Sequence, residues 1–169
     1  MGMPLVWTFF YGSYMNLDVL AEVDLVPATV EVASLAGFDI RIEPLANLVR
    51  DDARTVYGLL ATATHAELDR LYDHARQVLG GTYLPEAVLA RTRAGTWRPA
   101  LCYIAPELER RPATADYVER IVRPARAFAF PGWYVARLAS FRPAARGDDA
   151  VGRGDDGMSR GDGAAGGAS

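Results

Sequence analysis

Lysine is absent: each of the 18 Lys-or-Arg positions is an arginine. Schiff-base chemistry, a P-loop lysine and a lysine general base are thereby excluded. Cysteine is nearly absent too. Cys102 stands alone, so an intrachain disulfide and a cysteine-rich metal site are ruled out. The two histidines, His65 and His74, cannot fill a structural zinc site by themselves, and neither a metal nor another cofactor is expected. No run of about 18 apolar residues exists to span a membrane. The start MGMPLVWTFFYGS lacks the basic n-region of a signal peptide, and its apolar run breaks at Gly12. Excess positive charge is also missing. The net charge is -3, so neither nucleic acid nor an anionic membrane surface is an expected partner. The expectation is a soluble, cytoplasmic protein, and the sequence sets no oligomeric state.

What is present suits one compact domain. The chain has 169 residues, 50% of them apolar, enough for a single core and too few for two. Composition changes near Arg146. Residues 146–169 hold 8 of the 16 glycines, no aromatic residue, and Arg-Gly-Asp three times. Such a stretch cannot bury enough apolar area to offset its ordering entropy. The expected organisation is a domain over residues 1–145 and a disordered Gly/Asp/Arg-rich tail over 146–169. The Arg-Gly-Asp triplets follow from that composition and are not read as adhesion motifs.

Residues 6–11 are apolar and aromatic without helical period, which predicts a buried strand. Asn16 or Asp18 caps a short helix through Val23. Residues 29–35 and 38–43 read as two strands hinged at Ala36-Gly37. Residues 55–62 form another strand, whose Gly58 lets a second backbone or a ligand come close. Thr64 and Glu67 make a capping box for a helix that runs to Leu79 and stops at Gly80-Gly81. Strands follow at 83–93 and 97–104, then helices at about 114–127 and 131–141.

Several pieces, in order, resemble one family. The stretch Tyr11-Gly12-Ser13-Tyr14-Met15-Asn16 is similar to the YGSNM or YGSNL opening of the γ-glutamylcyclotransferase-like family. Val56-Tyr57-Gly58 resembles its V-x-G strand. Leu68-Asp69 resembles the start of its L-D-x-x-E helix. Tyr83, Cys102-Tyr103-Ile104, and the set Tyr117, Ile121, Ala125, Phe130-Pro131, Tyr134 and Leu138 follow in register. The resemblance covers about residues 5–141. It implies an α+β fold, a small mixed barrel-like β-sheet flanked by helices.

It also implies a small-molecule γ-glutamyl-type ligand and a reaction. Active members release 5-oxoproline from γ-glutamyl compounds by attack of the substrate's own α-amine on its γ-carbonyl. The tethered nucleophile makes proximity worth up to roughly 7–11 kcal/mol. The protein must hold the α-carboxylate, take a proton from the α-ammonium and return one to the leaving nitrogen, work that one carboxylate can do. The Gly12-Ser13 amides and the Ser13 hydroxyl suit the first task. The implied binding residues are Tyr11, Gly12, Ser13, Tyr14, Met15, Tyr83 and Tyr117. Tyr103 and Tyr134 are further aromatic candidates.

Two positions depart from the family pattern. Tyr14 stands in place of its Asn, and Tyr72 stands four residues after Leu68, in place of its Glu. Asp73 is the nearest carboxylate, turned about 100° from Tyr72 on a helix. Glu86 is a relocated carboxylate candidate on the next strand. The catalytic candidates are therefore Asp73, Tyr72 and Glu86. Tyr72 can donate a proton but is a poor base at neutral pH. His74 is a candidate shuttle on the same helix, and Cys102 reads as a small buried hydrophobe. Three functions stay open: an enzyme acting on a γ-glutamyl amine or amide, a binding protein that kept the pocket and lost the base, and a scaffold that keeps only the fold.

Overall fold

The computed structural model of the chain describes residues 2–144. The expected tail at 146–169 lies outside the described residues.

Element order is β1 (Leu5–Phe10), a 3-10 turn (Ser13–Met15), α1 (Leu17–Ala21), β2 (Val30–Ile42), β3 (Ala46–Thr64), α2 (His65–His74), a π-helical turn (Ala75–Leu79), β4 (Leu84–Thr92), β5 (Trp97–Ile104), α3 (Ala115–Ala127) and α4 (Gly132–Ala139). The strands close into a barrel in the order β1-β3-β2-β4-β5. All neighbours are antiparallel except β1 and β5, which meet in parallel at Thr8 and Leu101 and complete the ring. The outer parts of β2 and β3, Phe38–Ile42 and Ala46–Arg50, pair only with each other and extend beyond the ring.

The long β2–β3 pair corrects one expectation. Residues 29–43 are not two strands around a turn. They form a single strand with a bulge between Ala36 and Phe38, where Gly37 takes φ +87. A glycine at positive φ serves a bulge as well as a turn, and β3 pairs on both sides of it. The hairpin turn lies at residues 43–45, where the Glu43 N–H donates to the Leu45 carbonyl (3.2 Å). β3 begins at Ala46 rather than near Thr55, because residues 50–54 are strand despite being charged and largely exposed.

Gly58 is the second informative glycine. A Cβ there would lie 2.3 Å from the Phe10 carbonyl oxygen and 2.7 Å from the Phe9 ring. The close approach expected from the sequence is therefore that of β1's backbone.

Helices cover the barrel. The capping box forms as expected: Thr64 Oγ1 accepts from the Glu67 N–H (3.2 Å), and Glu67 Oε2 accepts from the Thr64 N–H (2.7 Å). That fixes the start of α2, which buries Leu68 and Leu71. α3 buries Val118, Ile121, Val122 and Ala125, and α4 buries Tyr134 and Leu138. Arg137 of α4 donates to Asp39 of β2 at 2.8 Å, an ion pair only partly open to water. No helix among the described residues is long and apolar enough to cross a membrane.

Candidate functional site

β1 ends at Phe10, and the chain turns at once. Met15 and Asn16 donate their N–H groups to the carbonyls of Gly12 and Ser13, 3.1 Å each. The amides at the head of this 3-10 turn, from Gly12 to Tyr14, have no place in its ladder. Gly12 has φ -113, outside the left-handed region, so left-handed freedom is not why glycine is there. Space is the reason: a Cβ on Gly12 would lie 2.9 Å from the Ala46 Cβ.

The turn forms one wall of a cavity. The start of β3 gives Ala46, and α2 with its π-helical extension gives Tyr72, Ala75 and Leu79. Tyr83 precedes β4, Tyr103 comes from β5, and Tyr117 comes from α3. With Tyr11 and Tyr14, six of the chain's 8 tyrosines line this one cavity.

Backbone groups fix the rings. The Tyr83 hydroxyl donates to the Ala46 carbonyl at 2.7 Å, and the Ala46 N–H donates to the Tyr117 oxygen at 3.1 Å. The Ser13 hydroxyl sits beside that same Tyr117 oxygen. The Tyr11 hydroxyl, buried, donates to the Tyr103 carbonyl at 2.6 Å. Tyr72 stacks on Tyr103 and meets Tyr14 edge-to-face at 5.8 Å.

The cavity carries no formal charge: neither a carboxylate nor an arginine lines it. Burial is the largest cause pushing the phenols of Tyr11, Tyr14, Tyr72 and Tyr83 well above their ordinary range, with neighbouring groups adding to it. Tyr103 and Tyr117 shift in the same direction, again chiefly through burial. These hydroxyls are therefore neutral at physiological pH. They can donate and accept hydrogen bonds, but none is a ready proton acceptor. Cys102 lies fully buried, its thiol pushed up by burial first and by Glu86 second.

The carboxylates proposed from the sequence lie elsewhere. Asp73 points into a separate outer groove, where it pairs with Arg76 at 2.7 Å, both side chains 59% exposed. Glu86 pairs with Arg50 of β3 at 2.9 Å on the surface. Of the binding candidates, Tyr11, Gly12, Ser13, Tyr14, Tyr83 and Tyr117 come together in the cavity. Met15 does not: it is fully buried and packs in the core. Tyr134 packs instead among Tyr57, Phe130 and Trp133. Ala46 went unread in the sequence. It contributes only backbone and a methyl, which leave no chemical signature.

Neither a protein-family model nor a curated protein matches the sequence. Solved structures do match the fold. One described as a gamma-glutamyl cyclotransferase aligns with TM-score 0.68 at 19% identity, over 90% of this chain and 95% of that one. An uncharacterized protein from Homo sapiens aligns with TM-score 0.69 at 19% identity, over 90% and 94%. A yeast gamma-glutamyl cyclotransferase specific to glutathione aligns with TM-score 0.58 at 11% identity, over 81% and 95%. The fold is therefore γ-glutamylcyclotransferase-like, an α+β architecture with a mixed five-stranded barrel flanked by helices.

Proposed function

We propose that this protein binds a γ-glutamyl-type small molecule in the tyrosine-lined cavity and holds it without cleaving it. The observation that carries this reading is the lining: six neutral tyrosines and the Gly12-Ser13-Tyr14 turn, with no carboxylate. Amides free of the turn's ladder and hydroxyls suit a ligand carboxylate, since both donate hydrogen bonds.

The same lining argues against cleavage. A tethered α-ammonium cannot attack until a base removes a proton, and positioned general bases typically supply 10²–10⁴-fold in rate. Tyr72 occupies the place the family resemblance gives to a glutamate, and its phenol is pushed up by burial. It holds its proton and cannot accept another's. The cavity is also tight, about 30 Å³, room for roughly two waters. A γ-glutamyl head needs more room than this, so binding it requires the lining side chains to move.

A second reading, release of 5-oxoproline, is favoured by the fold likeness to structures described as gamma-glutamyl cyclotransferases. It requires a base from outside the cavity.

Calorimetric titration of 5-oxoproline and a γ-glutamyl amide into wild type, Ser13→Ala and Tyr117→Phe tests the binding reading. Saturable binding is expected in wild type. Each variant is expected to weaken it by roughly 3- to 10-fold, the worth of one net hydrogen bond. Identical affinity in all three proteins would remove the turn from the site.

A further inference from the structure

One wall of the cavity differs from the others. The aromatic rings of the lining all belong to the core or pack against it. Several are held further: Tyr83 and Tyr117 are hydrogen-bonded to the Ala46 backbone at 2.7 and 3.1 Å, and Tyr72 is stacked on Tyr103. Leu79 also lines the cavity, but it is not among the side chains packed on that core. It makes no polar contact, so displacing it breaks no hydrogen bond.

The backbone under Leu79 is built differently too. Leu79 ends the π-helical turn Ala75–Leu79, a rare geometry that occurs mostly as single turns, frequently at functional sites. The stretch is anchored at both ends. Ala75 is fully buried. Gly81 is buried so closely that a Cβ there would lie 2.8 Å from the Tyr83 ring and 3.0 Å from Leu45 Cδ1. Between these anchors Arg76, Gln77, Val78 and Gly80 are exposed, and Leu79 alone is half-buried. Gly80 takes φ +76, and a Cβ built on it would meet nothing within 4 Å. A strap with one inward side chain and so little buried apolar surface opens locally at low cost.

We infer that Leu79 closes the cavity and sets the size of ligand it admits, the strap from Arg76 to Gly80 being the wall that yields. The inference rests on the reading that the cavity holds a ligand, and it names the residue that limits that ligand. With Leu79 in place the cavity measures about 30 Å³, too little for a five-membered lactam. The ligand-ready state is then a minor one, and apparent affinity is lowered by the fraction of molecules in it. A smaller side chain at position 79 removes that penalty, and a larger one deepens it.

The test titrates 5-oxoproline into full-length wild type, Leu79→Ala, Leu79→Phe and Val78→Ala by calorimetry. Leu79→Ala is expected to tighten binding by roughly 3- to 10-fold and Leu79→Phe to weaken it by a similar factor. Val78 neighbours Leu79, is 63% exposed and does not line the cavity, so Val78→Ala should bind as wild type does. Amide hydrogen exchange gives a second readout that needs no ligand. The amides of residues 76–80 should exchange at least roughly 10-fold faster than those of Leu68 to Leu71, and saturating 5-oxoproline should slow them. Equal affinity in wild type and Leu79→Ala overturns the inference and leaves the cavity reading standing. A gain in Val78→Ala as large as in Leu79→Ala overturns it as well, since size at position 79 is then not what matters. If none of the four proteins binds 5-oxoproline, the cavity reading falls, and exchange decides the strap. Fast exchange at 76–80 alone then supports a yielding wall, and exchange as slow as that of Leu68 to Leu71 overturns it.

Discussion

The ring of Tyr72 lies flat against that of Tyr103, with centroids 3.7 Å apart and planes 8° from parallel. One ring comes from α2 and the other from β5, so the stack pins helix to barrel and divides inner cavity from outer groove. Aromatic pairs contribute about 0.5–1.5 kcal/mol beyond their buried area. Tyr72→Phe keeps the ring and removes a hydroxyl with no hydrogen bond among the described residues, so it should change stability by less than about 0.5 kcal/mol. Tyr72→Ala should cost about 2 kcal/mol or more, since it removes both the stack and buried area. Urea denaturation of the two variants checks this. Equal stabilities would show that the stack holds nothing together.

Gly12 faces the Ala46 methyl. Its φ of -113 lies outside the left-handed region, so the main cost of a side chain is one of space. With 2.9 Å between the added carbon and the Ala46 Cβ, Gly12→Ala should destabilise by about 1–3 kcal/mol, as overpacking does. Ala46→Gly in the same chain should recover most of that loss. A double-mutant cycle reads the coupling directly. Independent, additive effects would contradict the contact.

The phenols of Tyr11, Tyr14, Tyr72 and Tyr83 are raised above 10.0 by burial. The unfolded chain therefore releases these protons first as pH rises. Folding stability should be insensitive to them below about pH 9. Above pH 10 it should fall, by up to about 1.4 kcal/mol per pH unit for each such group. Tyrosinate absorbance at 295 nm, followed with circular dichroism, is the measurement. These rings should ionise only as the fold is lost. Full ionisation in a folded chain near pH 10 would contradict their burial.

Asp73 and Arg76 pair in water, each 59% exposed. Such pairs contribute about 0–1 kcal/mol. Asp73→Asn should leave thermal stability within a degree or two and leave 5-oxoproline affinity unchanged. A large loss of either would place Asp73 in the site after all.

The legible parts of the fold were those written locally. Thr64 and Glu67 spell a cap, and the apolar spacing of 68–79 and 114–127 follows one helical face. β3 was legible only in its buried half. Its polar half forms a strand because β2 lies alongside it, a long-range cause that no local pattern reports. Gly37 was misread because positive φ serves turn and bulge alike. In the site, the turn at Gly12-Ser13 was readable from its glycine and hydroxyl. Tyr72 was readable as a departure from the family pattern, but its consequence was not. A neighbouring carboxylate such as Asp73 is a step along the helix in sequence and on another surface in space.

The most direct measurement is 5-oxoproline release, quantified by mass spectrometry from a broad panel of γ-glutamyl amines, amides and peptides incubated with purified protein at neutral pH. Release no faster than in buffer is the expected result, together with saturable binding of at least one compound or of 5-oxoproline itself. Multiple turnovers from any compound in the panel would contradict a holding site without a base.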